Sequence, residues 1–144
     1  MRNIATVALL VLTFAAGFLA REVATPTPLL AQGGGRVFEI RTYTAPEGKL
    51  GDLHARFRNH TLRIFARHGM TNVAYFAPQD APLSQNTLIY VLSHASREAA
   101  RKSWADFRAD PEWQKVAAES QVNGQIVAKV ESVFADATDY SPMK

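Results

Sequence analysis

An α+β domain, with a four-stranded antiparallel sheet carrying its helices on one face, is the fold class this sequence predicts. Three observations carry the prediction. Four runs are rich in β-branched and aromatic residues, two stretches place apolar residues three and four apart, and they follow one another as β-α-β-β-α-β. That order is the ferredoxin-like, split βαβ arrangement.

The first strand is RVFEIRTYT, Arg36 to Thr44. The stretch APEGKL then turns the chain, with Pro46 suited to a first helical turn. A helix from Gly48 to His68 carries Leu50, Leu53, Phe57, Thr61, Ile64, Phe65 and His68 on one stripe, and Gly69 stands where a C-terminal cap belongs. TNVAYFAP, ending at Pro78, reads as a second, short strand. NTLIYVLSHA, Asn86 to Ala95, is apolar on both faces and reads as a central third strand. Ser96 caps a helix with Ala100, Ser103, Trp104 and Phe107 on one side, and Asp110–Pro111 breaks it and starts another. QIVAKVESVF, Gln125 to Phe134, is the expected last strand.

The chain of 144 residues has length for one domain of ordinary size, and its net charge is +3. Its basic residues are scattered, without the basic stripe and interleaved aromatics that nucleic-acid binding requires, so no nucleic-acid partner is expected. The absence of cysteine removes disulfides, thiolate metal sites, a thiol nucleophile and an acylated cysteine.

Residues 1–20 combine Arg2 with an uninterrupted apolar run from Ile4 to Ala20. This pattern reads as a signal peptide or as an N-terminal membrane anchor, its length lying between a signal core and a span. Residues 21–35, rich in proline and ending in three glycines, form a linker. The domain proper covers 36–136, and 137–144 is a polar tail. The expectation is an exported protein, periplasmic or secreted, that touches a membrane only if the N-terminal segment is retained.

Two helices on one face leave the other face of the sheet to be accounted for. With a period of two, the first strand divides into Phe38, Ile40 and Thr42, which read as its core side, and Glu39, Arg41 and Tyr43. The second row is expected on the helix-free face, with Lys129 and Glu131 of the last strand and an apolar, aromatic patch between them. A patch of that kind marks a contact surface, and a second copy packed face to face would enclose the charges. A homodimer is therefore expected.

Several short motifs, in order, resemble those of the NIPSNAP family: V-F-E-I-R-T-Y-T from Val37, P-E-G-K-L from Pro46, H-G at His68, S-R-E-A-A-R from Ser96 and D-P-E-W-Q from Asp110. The resemblance runs from Arg36 to about Phe134. It implies ferredoxin-like domains that pair as a dimeric α+β barrel. It also implies a wider superfamily that includes cofactor-independent monooxygenases and haem-degrading enzymes. Two positions depart from the family pattern: Ala74 replaces a common glycine, and Y-V-L-S from Tyr90 replaces a stretch with a tryptophan.

Glu39, Arg41 and Tyr43 could line a polar pocket, Arg41 holding a carboxylate or polarising a carbonyl, or could form a structural ion-pair network with Lys129 and Glu131. His94 with Tyr90 and Tyr75 is the best proton-handling set, and these eight residues form the expected ligand-binding set. Arg41, Tyr43, Tyr75 and His94 are the catalytic candidates. His54 reads as exposed. His60 and His68 lie too far apart along a helix for one metal ion, and no metal site is expected. Trp104, Phe107 and Trp113 read as core. The triple glycine at Gly33 precedes a strand, and no phosphate loop or nucleophile elbow exists, so no cofactor is expected. Three functional expectations follow: a dimeric barrel binding a small hydrophobic or aromatic molecule, a cofactor-free monooxygenase or isomerase, and a structural dimeric scaffold.

Overall fold

The computed structural model describes residues 36–143. The expected signal or anchor over 1–20 and the linker over 21–35 lie outside the described residues. The elements are β1 (Val37–Thr44), α1 (Leu50–Arg56), a π-helical turn (Phe57–Thr61), α2 (Leu62–Arg67), β2 (Thr71–Phe76), β3 (Thr87–His94), α3 (Arg97–Ala109), α4 (Pro111–Glu119) and β4 (Lys129–Asp136). The four strands form one antiparallel sheet in the order β2-β3-β1-β4, the ferredoxin-like topology.

The helix boundaries follow local chemistry. Ser96 accepts from Ala99 N at 3.0 Å and opens α3. Asp110 accepts from the backbone N–H groups of Glu112 and Trp113, with Pro111 as the first helical residue of α4. At the end of α2, Gly69 adopts φ +76°, and two bonds close the turn, Met70 N to Phe65 O and Gly69 N to Ala66 O, both 3.1 Å. This is a Schellman motif, which satisfies carbonyls the helix leaves over.

Two elements differ from expectation. The helix expected over 48–68 is interrupted by the π turn, where Leu62 N bonds to Phe57 O, five residues back. Thr61 Oγ1 donates to Arg56 O at 3.2 Å beside it. One extra residue per turn shifts the stripe slightly without erasing its spacing, so periodicity does not reveal it. The last strand begins at Lys129 rather than Gln125. Ile126 is fully buried in the core, and Ala128 N bonds to Thr44 O at 2.7 Å, leading the chain into the sheet.

The core lies between the helices and one face of the sheet. Leu53, Phe57, Ile64 and Phe65 meet Tyr43, Leu88, Tyr90 and Leu92. Phe57 is the hub of an aromatic cluster, with ring centroids 5.2 Å from Tyr90, 5.8 Å from Tyr43 and 5.9 Å from Tyr75. All three contacts are edge-on, the geometry that ring quadrupoles favour at about 0.5–1.5 kcal/mol per pair beyond burial.

The strand register corrects the expected orientation of β1. Glu39, Arg41 and Tyr43 stand opposite Leu92, Tyr90 and Leu88 of β3, on the helix-covered face. Phe38, Ile40 and Thr42 occupy the helix-free face. There Ala74, Val91, Ile40 and Val133 align in one row across all four strands. Ile40 is 40% exposed, Val133 61% and, at the edge, Phe76 53%.

Candidate functional site

The turned-in row makes Glu39 the centre of a buried polar network. Its side chain is 1% exposed, and four groups donate to its two oxygens. Arg41 Nη1 and Ser132 Oγ reach Oε1 at 2.5 and 2.7 Å. Trp104 Nε1 and His94 Nε2 reach Oε2 at 2.7 and 3.0 Å. Burial pushes the carboxyl pKa up, but the hydrogen bonds from His94, Trp104, Ser132 and Arg41 outweigh it and hold it at about 2. Glu39 is therefore ionised and can only accept, so His94 Nε2 carries a proton. His94 Nδ1 is buried without a partner.

Arg41 lies over the Trp104 ring at 4.2 Å from its centroid and 5.6 Å from that of Tyr43. Burial disfavours its charge, but Tyr90, Tyr43 and Glu39 more than compensate and raise its pKa. Two further buried atoms, Arg41 Nε and the Tyr90 hydroxyl, have no hydrogen-bond partner. Burial, with Tyr43 beside them, raises the pKa of both Tyr75 and Tyr90, so these phenols are proton donors and not bases at neutral pH.

Tyr75 leads outward from this interior. Its ring stacks on Tyr90 at 5.5 Å and 12°, and its hydroxyl donates to Asn72 Oδ1 at 2.5 Å. Asn72 Nδ2 in turn donates to Leu62 O at 2.9 Å, tying β2 to the start of α2. Beside Tyr75 a cleft of about 300 Å³ opens between the first helical layer (α1, the π turn and α2) and β2, lined by His54, Phe57, Arg58, Leu62, Tyr75, Phe76, Ala77 and Leu88. Its walls are largely apolar and aromatic, with His54 and Arg58 as the basic residues. This is the chemistry of a site for a small molecule with a flat, apolar body.

The expected site residues are thus divided. Glu39, Arg41, Tyr43, Tyr75, Tyr90 and His94 share the helix-covered face. His94 belongs to the Glu39 end and Tyr75 to the cleft end, since Tyr90 and His94 are four residues apart on one strand, roughly 13 Å. Lys129 and Glu131 lie on the opposite face opposite Thr44 and Thr42, where they are exposed and pair with each other at 2.9 Å. They take no part in the Glu39 network, because residues of odd and even parity in a strand point to opposite sides.

His68 contacts Asp110 at 2.6 Å, joining α2 to the α4 cap. Half-buried His54 lines the cleft instead of facing solvent. Trp104, expected as core, is a hydrogen-bond donor and a stacking surface. Ser132, Asn72 and Leu62 also take part, through contacts that strand and helix spacing does not single out. Among the described residues, no group of three His, Asp or Glu is placed to hold a metal ion.

A family model described as NIPSNAP matches residues 38–142. No curated protein matches the chain. Among solved structures, a NIPSNAP family protein of unknown function from Agrobacterium tumefaciens superposes with a TM-score of 0.68 at 20% identity, covering 78% of this chain and 96% of that one. A NIPSNAP-like domain protein from Burkholderia xenovorans gives 0.65 at 17% identity, covering 76% and 90%. SnoaB, a cofactor-independent oxygenase from Streptomyces nogalater, gives 0.52 at 16% identity, covering 75% and 98%. At these identities the likeness is one of fold.

Proposed function

Because the chain belongs to the NIPSNAP family, a membership that fixes a fold and not a reaction, we propose from the site itself that it is a binding domain for a small, partly apolar molecule. The ligand lies in the cleft between the first helical layer and β2, its flat body against Tyr75, Phe57 and Leu88. The observation that carries this reading is the cleft, apolar in lining and backed by the Tyr75–Tyr90 stack.

Two further elements belong to the proposal. The domain pairs through the helix-free face, where the Ala74, Val91, Ile40 and Val133 row offers a two-layer protein an apolar surface to cover. It acts after export, supported by Arg2 and the apolar run from Ile4 to Ala20.

Thermal unfolding in the presence of 1-naphthol tests the binding reading. Stabilisation of about 2.7 kcal/mol is expected at a hundredfold excess over Kd, rising with the logarithm of the ligand concentration. Leu62→Trp, which fills the cleft, should abolish the response while leaving the folded spectrum unchanged. Equal stabilisation of the variant would refute the location.

A second reading, oxygen-dependent chemistry without a cofactor, has one local feature in its favour. Arg41 Nε and the Tyr90 hydroxyl are buried and unpartnered behind the aromatic wall. They could order a carbonyl or an oxyanion if a substrate displaced Tyr75. Glu39, at a pKa of about 2, is a weak base for such chemistry. Oxygen uptake with a quinol, lowered at least tenfold in Arg41→Lys, would support it over binding alone.

A further inference from the structure

A second cleft, of about 360 Å³, lies on another side of α1, between α1 with its π turn and α4. It is lined by Arg56, Asn59, His60, Ser120 and Asn123, with Asp52 and Glu119 also in its wall. It shares no lining residue with the apolar cleft.

Arg56 is the anomaly. It is only 7% exposed, yet no carboxylate among the described residues lies within ion-pair distance of it. Ser120 Oγ, at 3.3 Å from Nη1, is its hydrogen-bond partner, and the Trp113 ring centroid is 5.1 Å away. Its Nε is buried and unpartnered. One hydroxyl and one ring face replace only part of the hydration that burial removes from a guanidinium. Asp52 and Glu119 do not neutralise it, since Asp52 pairs with Lys49 at 3.3 Å and Glu119 with Lys115 at 3.8 Å.

We propose that Arg56 is the anchor of a second small-molecule site, in the cleft between α1 and α4, that takes a singly charged carboxylate. The planar fork of the guanidinium matches a carboxylate, which supplies the missing countercharge. Asn59 and Asn123 add amide donors at the same cleft. Asp52 and Glu119 form only loose, exposed pairs with their lysines and keep negative charge at the cleft wall, which repels a dianion more strongly than a monoanion and so sets the specificity. The π turn follows Arg56 directly and supplies Asn59 and His60 to the cleft, a placement common where such turns serve binding.

The test is a titration of the isotope-labelled full chain, at about pH 8.5 where inorganic phosphate is almost wholly the dianion, with acetate, benzoate and, in parallel, phosphate, followed by NMR. The Arg56 Nε–H signal and the Asn59 and Asn123 amide signals should move saturably with both carboxylates, and phosphate should bind at least tenfold more weakly. Arg56→Met should lose the response, and Arg56→Lys should weaken it at least fivefold. If Arg56→Met does not fold, the wild-type signals and Arg56→Lys decide the matter. Absence of saturable shifts at Arg56, equal binding of phosphate, or a full response in Arg56→Met would each overturn the proposal.

Discussion

Trp104 Nε1 donates to Glu39 Oε2 at 2.7 Å, and the same indole carries the Arg41 guanidinium on its face at 4.2 Å. One side chain of α3 therefore clamps both members of the β1 ion pair, and the helix layer is bonded to the sheet through a buried charge. The stability of this domain should depend unusually strongly on that charge.

Glu39→Gln keeps the shape but leaves Arg41 without its countercharge. It should destabilise the domain by about 3–5 kcal/mol, as breaking a buried pair does. Trp104→Phe removes one donor and part of the stack, and should cost about 1–3 kcal/mol. Urea unfolding of both variants measures the order, and a smaller loss for Glu39→Gln would contradict it.

The same carboxylate predicts acid sensitivity. Its pKa falls from an ordinary 4.5 to about 2 on folding. The unfolded chain then binds the proton more readily, so the stabilisation is complete above pH 5 and is lost as pH falls toward 2. Glu39 alone should contribute about 3 kcal/mol across that window. Asp110 and Glu112 have lowered pKa values through hydrogen bonds from His68 and Arg67 and from Arg63 and Arg67 respectively, and should add to the slope. Unfolding free energies from pH 6 to pH 2.5 should fall less steeply in Glu39→Gln than in the wild type.

Gly69 holds φ +76°, and a Cβ there would meet only Ser103 Oγ at 3.6 Å, an ordinary contact. The cost of Gly69→Ala is thus one of backbone conformation, about 1–2 kcal/mol. A loss above 4 kcal/mol would mean that packing, not the left-handed turn, governs the position.

The dimer proposal rests on the helix-free face. Ile40→Lys places a charge in the middle of its apolar row and should shift sedimentation of the protein from two copies to one without lowering helical content. A wild-type protein that sediments as one copy at high concentration would contradict pairing through this face.

Much of the fold is legible in the sequence because it is set locally. Ser96, Asp110–Pro111 and Gly69 mark helix ends through bonds to residues within five positions. The orientation of β1 is not legible in that way. A period of two tells which residues share a face, but not which face the helices cover. Glu39 and Arg41 read as outward because their partners, Trp104, His94 and Ser132, are distant in sequence. Arg56 did carry a signal, since it follows Leu53 by three residues on the buried stripe. A charged side chain at such a spacing does not by itself mark a buried position. The cleft beside Tyr75 depends on the splay between the first helical layer and β2, which no periodicity encodes.

The most direct test of the binding account is an NMR titration of the labelled full chain with 1-naphthol. Saturable shifts should gather on the amides of Phe57, Leu62, Tyr75, Ala77 and Leu88 and leave Ile40 and Val133 unmoved. Shifts spread over the helix-free face of the sheet, or none that saturate, would contradict a ligand site in this cleft.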